Sequence, residues 1–191
     1  MVMDSETARE QVVDAADRLF YTHGVKSVGM DRVRDSAGVS LKRIYSMFPS
    51  KESLVLAVLG KRTRQWDDGI AAATAGVTGP RAKLLAIFDF LLTWFSEDEF
   101  RGCAFINVFG ELAAESPAIA TAVRDQKASF QQYVETLVGE LGGDSALAAQ
   151  LSILAEGAQT TAAISGRTRA ARDARAAAEV LIDQALGSAR I

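Results

Sequence analysis

A chain of 191 residues is long enough to bury a core, as one domain or two small ones. Nearly half of it is hydrophobic (49%), only three residues are Pro, and the net charge of −3 points neither toward nor away from nucleic acid. A single cysteine, Cys103, excludes an intrachain disulfide and fits a reducing compartment. The N-terminus lacks a basic and then apolar leader, and the longest apolar stretch, residues 84–95, is broken by Asp89. These features lead to the expectation of a cytoplasmic protein without a membrane span. Abundant alanine and the absence of period-2 runs predict an all-α chain.

The first helix is predicted over Ser5–Thr22, with Val12, Ala16, Leu19 and Phe20 on one face and Gly24 as its stop. His23, the only histidine, stands where it can cap carbonyls or meet a DNA backbone, and it has no neighbours for catalysis. Met30, Val33 and Ala37 mark a second helix of two turns. Gly38 then permits a sharp turn, and Ser40 is the N-cap of a third, short helix. In that helix Leu41, Ile44 and Phe48 share one face, and Lys42, Arg43, Tyr45 and Ser46 point away from it. Pro49 ends it.

This is a helix–turn–helix over residues 29–48 whose second helix carries cations and hydroxyls, the element that enters a major groove. Charge is distributed to match. Residues 26–51 hold six cations (Lys26, Arg32, Arg34, Lys42, Arg43, Lys51) against two acids (Asp31, Asp35), whereas the first 25 residues are net acidic. Arg43 is the stronger candidate for bidentate contact with guanine, with Lys42 beside it. The alternative is an ordinary solvated helix between two turns, since basic surface helices are common.

The fourth helix is predicted from Lys51, capped by Ser50, to Ala75, and Gly76–Pro80 is the clearest break in the chain. Further helices are predicted over 81–96, 103–114, 117–141, 144–165 and 168–188, nine in all. The division expected is a DNA-binding domain over 1–50 and a body over 51–191.

Residues 6–66 resemble the N-terminal DNA-binding domain of the TetR/AcrR family of bacterial regulators. The matching residues are Phe20 and Gly24, Ala37-Gly38-Val39-Ser40, Tyr45 and Phe48, and Pro49-Ser50-Lys51-Glu52-Ser53-Leu54. Lys42-Arg43 departs from the Gly-Thr pair of many members, and Arg34 from a small residue, so base contacts cannot be transferred from a typical member. The resemblance implies a nine-helix TetR-type fold, a phosphate bond from Tyr45 and a backbone-proximal lysine at Lys51. The Lys51 and Glu52 amides, at the positive end of a helix, also suit a phosphate. The DNA-binding set is therefore Ser40, Lys42, Arg43, Tyr45, Ser46 and Lys51.

Aromatics gather between Trp66 and Tyr133, most of them core by default. Some helices show apolar residues on more than one face, as a bundle around a cavity would. The resemblance implies a small-molecule effector among helices 4 to 8. Trp66, Phe88, Trp94, Phe105, Asn107, Phe109, Phe130 and Gln159 are the candidate lining, and Glu111 and Gln126 are further polar candidates. Cys103 is expected to be structural; beside Arg101 and at a helix start it is also a candidate redox or electrophile sensor. A helical enzyme using Cys103, Glu111 or Glu115 is the rival from another class. It lacks clustered His, Asp or metal ligands, so no cofactor, metal or catalytic residue is expected.

In the last two helices Leu147, Leu151, Leu154 and Ala158, and Ala178, Leu181, Ile182 and Ala185, fall on alanine-rich faces. Such faces let helices approach closely and pair as a four-helix bundle with a second copy. The alternative is that both faces pack inside one subunit. A symmetric dimer places two reading helices on a palindromic operator. The expected function is a DNA-binding repressor released by a small molecule, with control by a protein partner or by the Cys103 thiol as alternatives.

Overall fold

The computed structural model describes residues 4–188. Among the described residues it contains nine α-helices and no strand: α1 (Ser5–His23), α2 (Met30–Ala37), α3 (Leu41–Met47), α4 (Lys51–Ala75), α5 (Pro80–Phe95), α6 (Ala104–Leu112), α7 (Pro117–Glu140), α8 (Ser145–Ser165) and α9 (Arg169–Ser188). Among these residues no helix is long and apolar enough to cross a membrane.

The helix ends follow from local chemistry. Asp4 caps α1 by accepting from the Ser5 amide, so the cap lies one residue before the predicted start. Gly38 ends α2 at φ +64°, a left-handed conformation that a residue without Cβ takes at little cost, and its N–H donates to the Arg34 carbonyl. Ser40 Oγ accepts from the Arg43 amide. Ser50 and Ser53 cap α4 reciprocally, each hydroxyl accepting from the other's backbone N–H at 3.1 Å. Ser116 accepts from the Ile119 amide, and Asp144 from that of Leu147. Phe48, predicted inside the third helix, is its C-cap.

The chain forms two compact units. One runs to Arg64 and also takes in Ala104–Arg124; the other comprises Gln65–Cys103 and the chain from Asp125 onward. The expected boundary at 50/51 is therefore not where compactness divides the chain. The first half of α4 belongs with α1–α3, and so does all of α6.

In the first unit Val12, Ala16, Phe20, Val28, Val33, Val39, Ile44 and Phe48 are buried around the helix–turn–helix. Asp17 is also buried there. It accepts from Lys61 Nζ at 2.9 Å and Arg62 Nε at 2.6 Å, which ties α1 to α4. In the second unit α5, α8 and α9 pack together over Leu84, Leu91, Leu151, Ala155, Ala178 and Ile182. Trp66 sits edge-on to Phe90, Trp94 and Phe130, with ring centroids 5.3–5.8 Å away.

Of the eight residues expected on the pairing face, Leu147, Leu151, Ala158, Ala178 and Ile182 are buried inside the second unit. Leu154, Leu181 and Ala185 are only partly covered. The 3–4 spacing identified the most apolar stripe, and that stripe went to the nearest core.

Gly102 has φ +89°, and a Cβ there would stand 2.9 Å from the Ala163 Cβ on α8. Gly102→Ala therefore combines a disfavoured backbone with an overpacked contact. It is expected to cost about 1–3 kcal/mol in urea unfolding, with no matching loss in Gly76→Ala, whose Cβ would meet open space.

Candidate nucleic-acid interface

The reading helix α3 is seven residues long, too short to be stable alone, and holds its place through packing. Ile44 is fully buried and Phe48 nearly so, with the Arg9 guanidinium over the Phe48 ring at 4.4 Å. This leaves Ser40, Lys42, Tyr45 and Ser46 exposed, with Tyr45 45% accessible. Ser46 Oγ donates to the Arg43 carbonyl at 2.7 Å, so its oxygen retains acceptor capacity.

Most of the cations counted in the sequence are engaged inside the unit. Lys26 pairs with Glu115 at 2.6 Å, and Arg34 with Asp31 and Asp35 at 2.7 Å. The bond to Asp35 holds the Arg34 guanidinium above its usual range. Arg32 meets His23 Nε2 at 2.8 Å, and Arg43 donates to the Asp4 carbonyl at 3.3 Å. Lys51 turns inward. Its Nζ donates to the Val25 carbonyl at 2.6 Å, and burial pushes its pKa down despite the nearby Glu111. At the start of α4, the backbone amides are thus better placed for a phosphate than the ammonium. Lys42 alone of the six has no partner among the described residues. Lys42 and Tyr45 therefore stand nearest to a free reading surface.

One residue singled out in the sequence for other roles turns out to position the head. The Glu111 carboxylate on α6 accepts from the Val25 amide at 3.1 Å and the Lys26 amide at 2.8 Å. It thus fastens the turn between α1 and α2 from a position 85 residues away. Glu52 and Ser116 make a further bond beside it. Glu111 and Glu115, the acids available to an enzyme reading, are both spent on this corner. Glu111→Ala is expected to cost about 1.5–3 kcal/mol in chemical denaturation, the range for bonds to a charged acceptor. A change under 0.5 kcal/mol would mean that the turn holds without it.

The eight residues expected around an effector are divided between the two units. Trp66 and Phe130 line an open cleft of about 580 Å3 with Asp67, Thr74, Lys83 and Tyr133. Burial and the adjacent Asp68 push the Asp67 carboxyl up. Trp94 belongs to the aromatic cluster, and Phe88 is core. Gln159 is fully buried, and among the described residues its Oε1 has no partner, as is true of Gln126 Oε1. Phe105, Asn107 and Phe109 lie in the first unit, where Asn107 and Phe109 are exposed. Among the described residues no group of three or more His, Cys, Asp or Glu could hold a metal ion.

The family description "Bacterial regulatory proteins, tetR family" matches residues 12–58, which span α1 from its second turn, α2, α3 and the start of α4. An uncharacterised HTH-type transcriptional regulator of Mycobacterium tuberculosis is 30% identical over 120 residues, 61% of this chain and 59% of the relative. The HTH-type transcriptional activator FasR of Mycolicibacterium smegmatis is 37% identical over 87 residues, 44% and 40% of the two chains. The match thus spans about six tenths of the first relative's length and less of the second's. The crystal structure of SCO4454, a TetR-family transcriptional regulator from Streptomyces coelicolor, superposes with a TM-score of 0.87. It has 26% identity and covers 94% of this chain and 96% of its own. Residues 12–58 thus match the tetR family of bacterial regulatory proteins, and the chain shares its fold over nearly its whole length with a TetR-family regulator.

Proposed function

We propose that this protein is a homodimeric, sequence-specific DNA-binding regulator, a repressor that holds a palindromic operator and is released by a small molecule. One observation carries the reading. The short helix α3, capped by Ser40 and anchored by buried Ile44, leaves Lys42, Tyr45 and Ser46 exposed on its outer side. A cation and two hydroxyls on a projecting helix can neutralise phosphate and reach base edges. The matched relatives are named as an HTH-type transcriptional regulator and an HTH-type transcriptional activator, which favours this reading over a helical enzyme.

Dimerisation is supported by the outer face of α8 and α9. Ile153 (69% accessible) and Val180 (64%) join Leu154, Ala177 and Leu181 around an open apolar depression. Surface of that kind on adjacent helices is suited to a second copy of itself. Release by a ligand is supported by the cleft beside Trp66 and Phe130 and by the orphaned Gln126 and Gln159 oxygens. Because α4 runs unbroken from Lys51 to Ala75 and supplies both units, a ligand that favours one arrangement of it shifts operator affinity.

The test is selection from random duplexes by the purified protein, alongside Tyr45→Ala. The expected result is a palindromic motif with the wild type and none with the variant. A folded protein that enriches nothing would sink the proposal.

A further inference from the structure

The cleft beside Trp66 and Phe130 has a shape and a charge pattern that select among ligands. One face of α4, the middle of α7 and the start of α5 build it, all within the second unit. Its α4 side follows that helix from Trp66 to Ala75, about 13.5 Å at the rise of an α-helix. It is a groove, and its floor is apolar. Ile70 and Phe130 are buried there. The Thr74 hydroxyl is turned back onto the Ile70 carbonyl at 2.8 Å, and the Tyr133 hydroxyl reaches Thr74 Oγ1 at 3.5 Å. The middle of the groove therefore favours an apolar body over one rich in amides.

Charge stands at the two ends. Asp67 lies at the Trp66 end. Lys83 lies at the other, which follows from how α5 runs along α4. A Cβ on Gly69 would stand 2.5 Å from the Phe90 ring, so the two helices touch at that level. The short link between Ala75 and Pro80 makes them antiparallel neighbours. Lys83 precedes Phe90 by two turns and so sits level with the C-terminal end of α4. Among the described residues neither the Asp67 nor the Lys83 side chain has a hydrogen-bond or ion-pair partner. Burial and Asp68 disfavour the charged form of the Asp67 carboxyl, and a cation placed against it would offset both.

We propose that this groove takes an elongated amphoteric molecule, with its ammonium on Asp67, its carboxylate on Lys83 and an unbranched apolar chain over Ile70 and Phe130. This ligand class rests on the reading of the cleft as the effector site, and deepens it. Each end gains a charge-assisted hydrogen bond. A monocation or a monoanion of the same length answers one end and leaves the other protein charge against a methyl group. A short peptide brings the right termini, but its amides meet no free partner along the floor.

The experiment titrates the full-length protein, without DNA, in a calorimeter with three probes of one length: ω-aminooctanoate, octylamine and octanoate. The amphoteric probe should bind at least about 10-fold more tightly than either of the others, the effect of one hydrogen bond between charged groups. Asp67→Asn should reduce its affinity to that of octanoate without weakening octanoate itself. Lys83→Met should reduce it to that of octylamine without weakening octylamine. Asp67 is exposed and Lys83 half-buried, so neither change touches the core, and circular dichroism checks this. Octylamine or octanoate binding as tightly as ω-aminooctanoate would overturn the proposal. So would an affinity that ignores both substitutions, or no binding by any of the three. A gel shift on the selected operator duplex separates the two readings. Charge-dependent binding that leaves the operator complex intact keeps the ligand class and removes release by it. Operator binding with no probe bound removes the class and leaves DNA recognition standing.

Discussion

Asp17→Ala is expected to remove about 3–5 kcal/mol of stability, the cost of breaking one side of a buried ion pair. Asp17 has a side chain 6% accessible, and its two oxygens are shared between Lys61 Nζ and Arg62 Nε. Both cations are themselves mostly covered, at 24% and 20%. Without the carboxylate they remain low-dielectric charges with fewer partners. Lys61 keeps Asp14 at 2.7 Å and Arg62 keeps the Tyr21 ring at 4.3 Å, so the lower end of the range is expected. Urea unfolding of the wild type and the variant measures it, and a difference below 1 kcal/mol would refute the buried-pair account.

The same cluster sets a pH dependence. Burial pulls the Lys61 pKa down, but the hydrogen bonds it donates to Asp14 and Asp17 outweigh this and raise the group above its ordinary 10.5. A lysine raised on folding stabilises the protein fully below its unfolded value. That contribution disappears as pH rises through the folded value. The melting temperature of the wild type should therefore fall more steeply above pH 10.5 than that of Lys61→Met, which has no such group to lose.

Val180→Asp is expected to abolish dimerisation while leaving the subunit folded. Val180 is 64% accessible, so a carboxylate there is solvated in the monomer and buried without a partner only in a pair of copies. Sedimentation should show the wild type as a dimer and the variant as a monomer with unchanged helical circular dichroism. Operator affinity should drop by about 10²–10⁴-fold, since one reading helix then binds without its tethered twin. A wild type that sediments as a monomer, or a variant that remains a dimer, would remove α8 and α9 from the interface.

The all-α class, the order of the helices and most of their ends were legible in the residues. A cap is a short-range device: Ser40, Ser50, Ser116 and Asp144 each satisfy an amide three residues on, so sequence spacing reports them directly. The helix–turn–helix was legible for the same reason, because Gly38, Ser40 and the 3–4 spacing of Ile44 and Phe48 are local signals.

Which side chains remain available was decided by tertiary structure. Six cations could be counted in residues 26–51, but Lys26 is taken by Glu115, 89 residues away, and Lys51 by a carbonyl 26 residues away. No local pattern encodes such pairings, since they depend on which surfaces the packed helices bring together. The same holds for α8 and α9. Helical spacing selected the most apolar stripe, the packing of α5, α8 and α9 buried it, and the faces left outside carry Ile153 and Val180. Local chemistry in the sequence determined what each helix is and where it stops; the competition among distant groups for one another, settled only on folding, decided what each helix has left to offer.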